Sequence, residues 1–412
     1  MKCLFIVKDK TLETLGPMYL SAIIKRAGHE CYITDLAGSV ADFVTLRPDV
    51  VLYSVMTGDQ DMFKTLNRTF KRERDFISIV GGCHPTFFPE FFYSNGFDRV
   101  ITGEAEHWIA DFFNAEVDIT PDLDSLPFPD REDFPDRPIR DFISSRGCPY
   151  KCHYCFNARW SEMYPDLPKV RMRSVHNVLL EIKTVAPKFT YFQDSCFGVN
   201  LEWLRNFCAG YAKEINAPFH CHLRPTQVSQ ERVDFLRLAN CVSVRIALET
   251  ASDRLRKVIG RANTSNQETI DAAERLHKGN IKLMIQNMLA LPTSTIEDDL
   301  ATLEVNIRCR PDYAWSSIFS PFPGTALGDE CKASGYYTGD YSDITDCFFD
   351  KSILNFSEEY KEQTYCLQKI FALAVEAQVM PELDELSTET LPKFIHRAMR
   401  RIGDNRMYGG VI

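Results

Sequence analysis

The amino-acid sequence predicts an α/β protein. Two observations carry that reading. Short β-rich apolar runs alternate with helical segments through the first part of the chain, and the same alternation resumes with wider spacing after a proline-rich stretch at 119–138. Strands alternating with helices imply right-handed βαβ units and parallel sheets.

The first series begins with KCLFIV (2–7), a continuous apolar run of the kind a strand buried on both faces requires. PMYLSAIIKRAG (17–28) reads as a helix, with Pro17 at its start and Gly28 at its stop. CYITDL (31–36), DVVLYSVM (49–56), FISIVGG (76–82) and DRVITGE (98–104) follow as further strands. Five strands in about 110 residues suit a doubly wound, flavodoxin-like domain over 1–118. In such a sheet a ligand sits beyond the carboxyl ends of the strands. Those ends carry the loop from Lys8 to Leu15 and Gly16, then Ser54, Met56, Thr57 and Gly58, then Gly81, Gly82, Cys83 and His84, then Gly103 and Glu104. Glycines there let a large flat ligand approach the backbone closely.

Residues 119–138 hold five of the 21 prolines and read as an extended linker, because each Pro fixes φ and removes a donor. After it, FISSRG (142–147), FTYFQDSCF (189–197), FHCHLRP (219–225), CVSVRIALET (241–250), IKLMIQNMLALP (281–292) and YAWSSIFSPFPG (313–324) are strand-like, with helical segments between them. Six strand–helix units fall short of a closed eight-fold barrel and predict a partial (β/α)6 barrel over 139–340. A helical C-terminal region over 341–412 contains a long amphipathic stretch at 358–378.

The formal net charge of −10 disfavours a nucleic-acid surface, since phosphate binding rests on excess Lys and Arg. No apolar run reaches the roughly 18 residues of a membrane span. The apolar patch at the N-terminus is cut off by Lys8, Asp9 and Lys10, so it reads as a strand and not as a signal peptide, and the protein is expected in the cytoplasm. Fourteen cysteines in that compartment are not expected to be disulfides.

Three of them are clustered. RGCPYKCHYCFN (146–157) places Cys148, Cys152 and Cys155 in a C-x3-C-x2-C loop. A structural zinc site needs a fourth ligand, and His153 lies too close in sequence to wrap back easily. A redox dithiol of Cys152 and Cys155 leaves Cys148 unexplained. A [4Fe–4S] cube fits better, with three thiolates on three irons and the fourth iron open to a small molecule. With Tyr154 as the aromatic before the last cysteine, the loop resembles the signature of the radical S-adenosylmethionine (SAM) superfamily. TLGPMYLSAIIKRAGHECYITDL (14–36), VGGCHPTFFPE (80–90) and ITGEAE (101–106) resemble the cobalamin-binding domain found ahead of radical SAM barrels.

The resemblance implies a cluster on Cys148, Cys152 and Cys155. It implies SAM contacts from Tyr154, Gln193, Asp194, Arg224, Glu249 and Gln286: Gln193 and Asp194 toward the methionine amino group, Arg224 toward the carboxylate, and Glu249, in ALETASDRLRKVIGR (247–261), toward the ribose. Where relatives often have two acids, Ser195 follows Asp194; where many have Gly, Ala247 stands. Leu15, Gly16, Ser54, Thr57, Gly81, Gly82, His84, Gly103 and Glu104 are the implied cobalamin contacts. The Asp-x-His-x-x-Gly motif of histidine-ligated cobalamin is absent: the first loop reads Asp9-Lys10-Thr11-Leu12-Glu13.

SAM and cobalamin together imply a methyltransferase in which a 5′-deoxyadenosyl radical activates an unactivated carbon and methylcobalamin supplies the methyl group. The substrate would be a small molecule or peptide. An external electron donor such as flavodoxin or ferredoxin would reduce the cluster. A non-methylating rearrangement, cyclisation or ring contraction is the alternative within the family. A non-catalytic iron–sulfur redox protein is the alternative outside it.

Overall fold

The computed structural model of the chain describes residues 1–116, 122–340, 343–344 and 347–408, the side chains of the last five excepted. The start of the linker falls outside the described residues. Two compact units emerge, Met1–Arg146 with Arg171–Tyr191, and Gly147–Val170 with Phe192–Ile412.

The first unit holds β1 (Lys2–Val7), β2 (Glu30–Asp35), β3 (Val50–Ser54), β4 (Ile77–Gly81) and β5 (Arg99–Val100), joined by helices that include Leu15–Arg26 and Gln60–Glu73. The parallel sheet runs β2-β1-β3-β4-β5, the order of flavodoxin-like doubly wound sheets. Cys3, Phe5 and Val7 of β1 pack with Met18, Ile23 and Ile24 of the first helix, while Leu4 and Ile6 pack with Phe63 and Phe70 on the opposite face. Alternate residues of one strand thus serve two cores, which is why β1 is apolar throughout. The fifth strand is shorter than 98–104: the Asp98 carboxylate accepts from Ser78 N at 2.7 Å and Gly103 turns the chain at φ 80°.

The described part of the proline-rich stretch includes a short 3-10 helix at Leu123–Ser125 and is packed. Leu123, Leu126 and Phe134 enter the first core. Behind them runs a buried ionic chain. Glu13 accepts from Arg140 Nε at 2.8 Å, from Asp141 N at 2.7 Å, and from Arg131. Arg131 also donates to Glu181 at 2.9 Å, and Glu181 accepts from Arg173 at 2.5 Å. The carboxyl side chains of Glu13 and Glu181 are each 1% exposed, so the charges are stabilised by one another and by the surrounding hydrogen bonds.

A second parallel sheet is ordered β13-β12-β11-β10-β9-β6, from β6 (Ile139–Phe142), β9 (Phe189–Phe192), β10 (Phe219–His222), β11 (Cys241–Glu249), β12 (Lys282–Leu289) and β13 (Tyr313–Ile318). The six strands of the partial barrel are therefore present, with one correction. Residues 142–147 are not its first strand; 139–142 are. Ser145–Gly147 (β7) instead forms a two-stranded ribbon with Val170–Met172 (β8). Ser144 O accepts from Arg173 N at 2.9 Å, which draws this segment out of the sheet.

The C-terminal region contributes the helices Ala326–Ala333, Glu358–Ala377 and Leu391–Tyr408. Glu358–Ala377 packs its apolar stripe, Leu367, Ile370, Phe371 and Ala374, against Leu289, Ala314 and Ile318. Two contacts cap the free edge of β13. Ile318 N donates to Phe348 O at 2.8 Å, and Gln368 Nε2 donates to Ser316 O at 3.2 Å.

A buried carboxyl joins that helix to the barrel. Asp299 accepts from Tyr360 Oη at 2.7 Å, Ser294 Oγ at 3.1 Å and Ala290 N at 3.4 Å. Burial outweighs these donors and pushes its pKa up to about 7. A raised carboxyl contributes stability that is complete below the unfolded value near 4 and is lost as pH rises through the folded value. Wild-type stability is therefore expected to fall between about pH 4 and about pH 7, by up to about 1.4 kcal/mol per pH unit from this group. Asp299→Asn removes that slope. Thermal melts of both proteins across the range read it, and parallel slopes would refute the assignment.

Candidate functional site

The cysteine loop lies between Gly147, the last residue of β7, and the helix Phe156–Met163. Gly147 has φ 93°, and a Cβ there would meet Lys169 O at 2.0 Å, so only glycine admits the close approach of the two backbones. Beyond it the loop is tied down from the far side of the barrel. His153 N donates to Ile259 O at 3.1 Å, His153 Nδ1 lies 2.8 Å from Val258 O, and Leu327 N donates to His153 O at 2.9 Å. His153 is thus an anchor of the loop. Gly260, at φ 72°, makes room for it: a Cβ would sit 2.7 Å from the His153 ring and 2.8 Å from Lys151 O.

The three thiols are free and unequally buried, with Cys152 interior and Cys148 and Cys155 partly open. Burial raises the Cys148 and Cys155 pKa values, and the neighbouring thiols raise them further. Such thiols are protonated when alone and give up their protons to a bound cation. Among the described residues no three His, Cys, Asp or Glu groups converge to hold a single metal ion. A cube takes one thiolate on each of three irons, a donor set of three cysteines on one short loop. The donor set therefore fits an iron–sulfur cluster.

Of the implied SAM residues, Gln193, Asp194, Arg224 and Glu249 fall at or just beyond the carboxyl ends of β9, β10 and β11, Gln286 lies within β12, and Tyr154 is in the cysteine loop. Arg224, beyond β10, is 6% exposed and lies over the Tyr150 ring at 4.0 Å. Its Nε and Nη2 atoms are buried without a hydrogen-bond partner. These two donors form the side-on edge of the guanidinium, which matches a carboxylate in bidentate fashion. Leaving such donors unpaired is costly, so the residue fits the carboxylate of an amino-acid ligand. Asp194 is fully buried, and Gln193 is half-buried beside it. Gln286 shares the half-exposed face of β12 with Met284 and Met288, pointing into the barrel. Asn287 points the other way, bonded to Asn306 on the helix outside and to Trp315 O at 2.9 Å.

Glu249 stands apart from a simple ribose acceptor. It has φ 65° at a break in the β11–β12 register. Its carboxylate accepts from Tyr154 Oη at 2.7 Å and faces Arg261 Nη2 at 3.4 Å. Burial and this carboxylate raise the Tyr154 pKa well above the ordinary value, so the phenol keeps its proton. Tyr154 and Arg261 thereby link the cysteine loop to β11. Sequence reasoning missed Arg261 and Tyr150. Both lie inside quoted motifs, Tyr150 between the first two cysteines and Arg261 at the end of 247–261, and neither carries a local pattern that marks it.

In the first unit, Gly16 opens the helix Leu15–Arg26, with nothing within 4 Å of where a Cβ would point. Leu12 and Met56, at the carboxyl ends of β1 and β3, are 62% and 51% exposed. An open glycine and exposed apolar side chains along one sheet edge fit a large flat ligand. Ser54 and Gly81 are half-buried at the same edge, and Leu15 is interior. Other implied contacts have structural partners. Thr57 Oγ1 and His84 Nδ1 are 3.0 Å apart in the interior, with the His84 ring among Phe88, Phe91 and Phe92. Burial lowers the His84 pKa to about 4, so the imidazole is neutral. Gly82, at φ 108°, is required by Val55, whose carbonyl oxygen lies 2.7 Å from a Cβ position. Gly103 N donates to Thr86 Oγ1 at 3.0 Å, and Glu104 is held by Arg146 at 3.3 Å and by Arg171.

Comparison with known families agrees with both halves. Residues 1–113 match the B12 binding domain and residues 142–305 match the radical SAM superfamily. The chain carries a radical SAM domain and a B12-binding domain. A [4Fe–4S] cluster, SAM and cobalamin are the cofactors these two domains carry. An uncharacterized methyltransferase of Pyrococcus horikoshii is 24% identical over 372 residues, 78% of each chain. The tRNA-2-methylthio-N(6)-dimethylallyladenosine synthase of Prosthecochloris aestuarii is 23% identical over 312 residues, 69% of this chain and 68% of that one. Among solved structures, the fold is shared with the radical SAM methyltransferase TsrM of Kitasatospora setae at TM-score 0.67 and 15% identity, over 81% of this chain and 76% of that one. It is also shared with the cobalamin-dependent SAM radical enzyme OxsB at TM-score 0.56 and 15% identity, over 86% and 58%. Among the described residues, no helix is long and apolar enough to cross a membrane.

Proposed function

We propose that this radical SAM enzyme is a C-methyltransferase acting on an unactivated carbon of a small molecule or peptide. The observation that carries the reading is the pairing, in one chain, of a B12-binding domain with a barrel whose three-thiol loop lies near a buried guanidinium with an unpaired bidentate edge. Bound together, the cluster and SAM supply a radical and cobalamin supplies a methyl carrier. The protein's own part is positional. The His153 and Gly260 contacts hold the loop, Arg224 orients an amino-acid carboxylate, and Met284, Gln286, Met288 and Trp315 line the inner face where a substrate would be held away from water. The methyltransferase relative of Pyrococcus horikoshii supports methyl transfer. The tryptophan bound to TsrM supports a substrate of small-molecule size. The net charge of −10 supports neither DNA nor RNA. Delivery of the reducing electron by flavodoxin or ferredoxin belongs to the same proposal, as does a cytoplasmic setting.

The test uses the full chain, reconstituted anaerobically with iron, sulfide and hydroxocobalamin. It is supplied with dithionite, a mediator, a small-molecule cell extract and SAM labelled in its methyl group. The expected result is label in a product of low mass, together with both S-adenosylhomocysteine and 5′-deoxyadenosine. Substrate-dependent 5′-deoxyadenosine without label transfer would sink methylation and favour a rearrangement or cyclisation. No SAM cleavage by the reduced, iron-loaded chain would sink the enzymatic reading altogether.

A further inference from the structure

Arg261 is buried at the end of the turn that follows β11, and its three nitrogens face three different groups. Nη1 donates to Ala247 O at 2.7 Å, Nη2 faces Glu249 at 3.4 Å, and Nε lies 3.5 Å from Cys152 Sγ. The first two contacts fix the guanidinium on β11. The third points an N–H at the most buried of the three cysteine sulfurs. Glu249 carries one negative charge against the guanidinium and is itself shared with Tyr154. The delocalised charge of the guanidinium is thus shared between Glu249 and the sulfur.

We propose that Arg261 sets the reduction potential of the cluster by donating to the Cys152 sulfur, with Glu249 as the counterweight that limits the effect. Hydrogen bonds to cluster sulfurs, local charge and exclusion of solvent are the levers by which a protein tunes such a centre. A donor to a ligating thiolate withdraws electron density from the iron it binds, which favours the reduced state. The step concerned is the one-electron reduction of the cube from the 2+ to the 1+ state. No bond is made or broken and no proton moves, and the electron comes from dithionite in the test. Arg261 is a positioning residue: it acts through Cys152. The inference rests on Cys148, Cys152 and Cys155 being the cluster ligands.

The experiment is a potentiometric titration of the reconstituted full-length protein, without SAM, followed by the electron paramagnetic resonance of the reduced cluster. Arg261→Met removes both the donor and the charge. Its midpoint is expected to move negative by the equivalent of at least tenfold in the reduction equilibrium, about 59 mV for one electron. Arg261→Lys restores a cation without the fixed fork and is expected to fall between. Glu249→Gln is expected to move the midpoint the other way. Equal midpoints for wild type and Arg261→Met, at equal iron content, would overturn the proposal. Should Arg261→Met fail to retain iron, Arg261→Lys and Glu249→Gln carry the test, and unmoved midpoints in both overturn it. A wild-type chain that assembles no cluster defeats the ligand assignment instead, so the two failures are told apart by the iron count.

Discussion

Replacing Gly147 with alanine is expected to abolish cluster assembly while leaving most of the fold in place. The added Cβ would fall 2.0 Å from the carbonyl oxygen of Lys169 and 3.0 Å from its carbon, both backbone atoms. No rotamer change relieves a clash with backbone, and the φ of 93° is strained for any L side chain. The ribbon of β7 and β8 must open, and Cys148, the next residue, moves with it. Three thiolates that must meet three corners of one cube tolerate little displacement of any one. Anaerobic reconstitution followed by iron analysis is the measurement, with about four irons per chain expected of the wild type and less than about one of the variant. Circular dichroism of the iron-free variant should match the wild type. Cys148→Ala provides the comparison, since it removes a ligand with no backbone conflict. Full iron content in Gly147→Ala would show that the ribbon is not what holds Cys148.

The other large effect is expected far from the cluster. Glu13→Ala removes the central acid of the buried chain Arg140–Glu13–Arg131–Glu181–Arg173. Arg131 and Arg140 would each lose one of their acceptors, and the Asp141 amide would lose the carboxylate it donates to, in a buried site, and breaking a buried pair in this way costs about 3–5 kcal/mol. The first unit should melt at markedly lower temperature or lower urea concentration. Glu13→Gln keeps the shape and one acceptor and should lose less. Urea titration of the iron-free proteins, followed by tryptophan fluorescence and circular dichroism, separates the unfolding of the two units. A variant with the wild-type midpoint would mean that water or neighbouring carbonyls replace the carboxylate.

What the sequence made legible, and what it hid, follows from the range of the interactions concerned. The strands of the first sheet were readable because apolar runs such as KCLFIV and VVLYS state burial on both faces locally. The cysteine loop was readable because its ligands lie within eight residues of one another. Val170–Met172 carries no periodicity in three residues, and its pairing with β7 depends on Gly147 and Ser144, so the ribbon was not foreseen. Arg261 meets Cys152 across 109 residues of chain, a proximity that only the closed order of the barrel strands creates. The same holds for Glu104, whose two arginines come from 146 and 171. His84 and Thr57 stand at strand ends, as expected of groups that could meet a ligand, yet their side chains turn inward among phenylalanines, and no local pattern distinguishes the two outcomes. Gln286 and Asn287 differ only in register, which decides that one faces the inside and the other the helices.

The capping of β13 bears on how this protein should be handled in the laboratory. A partial barrel has two open edges, and an unguarded edge is a template for another chain. Here Phe348 and Gln368, both beyond the barrel proper, occupy the Ile318 amide and the Ser316 carbonyl of β13. A fragment cut at residue 340, the natural place to trim a barrel by sequence alone, would keep every cluster cysteine and still be a poor expression product. It would be expected to self-associate through strand addition, and a low yield from it would say nothing about the chemistry of the intact enzyme.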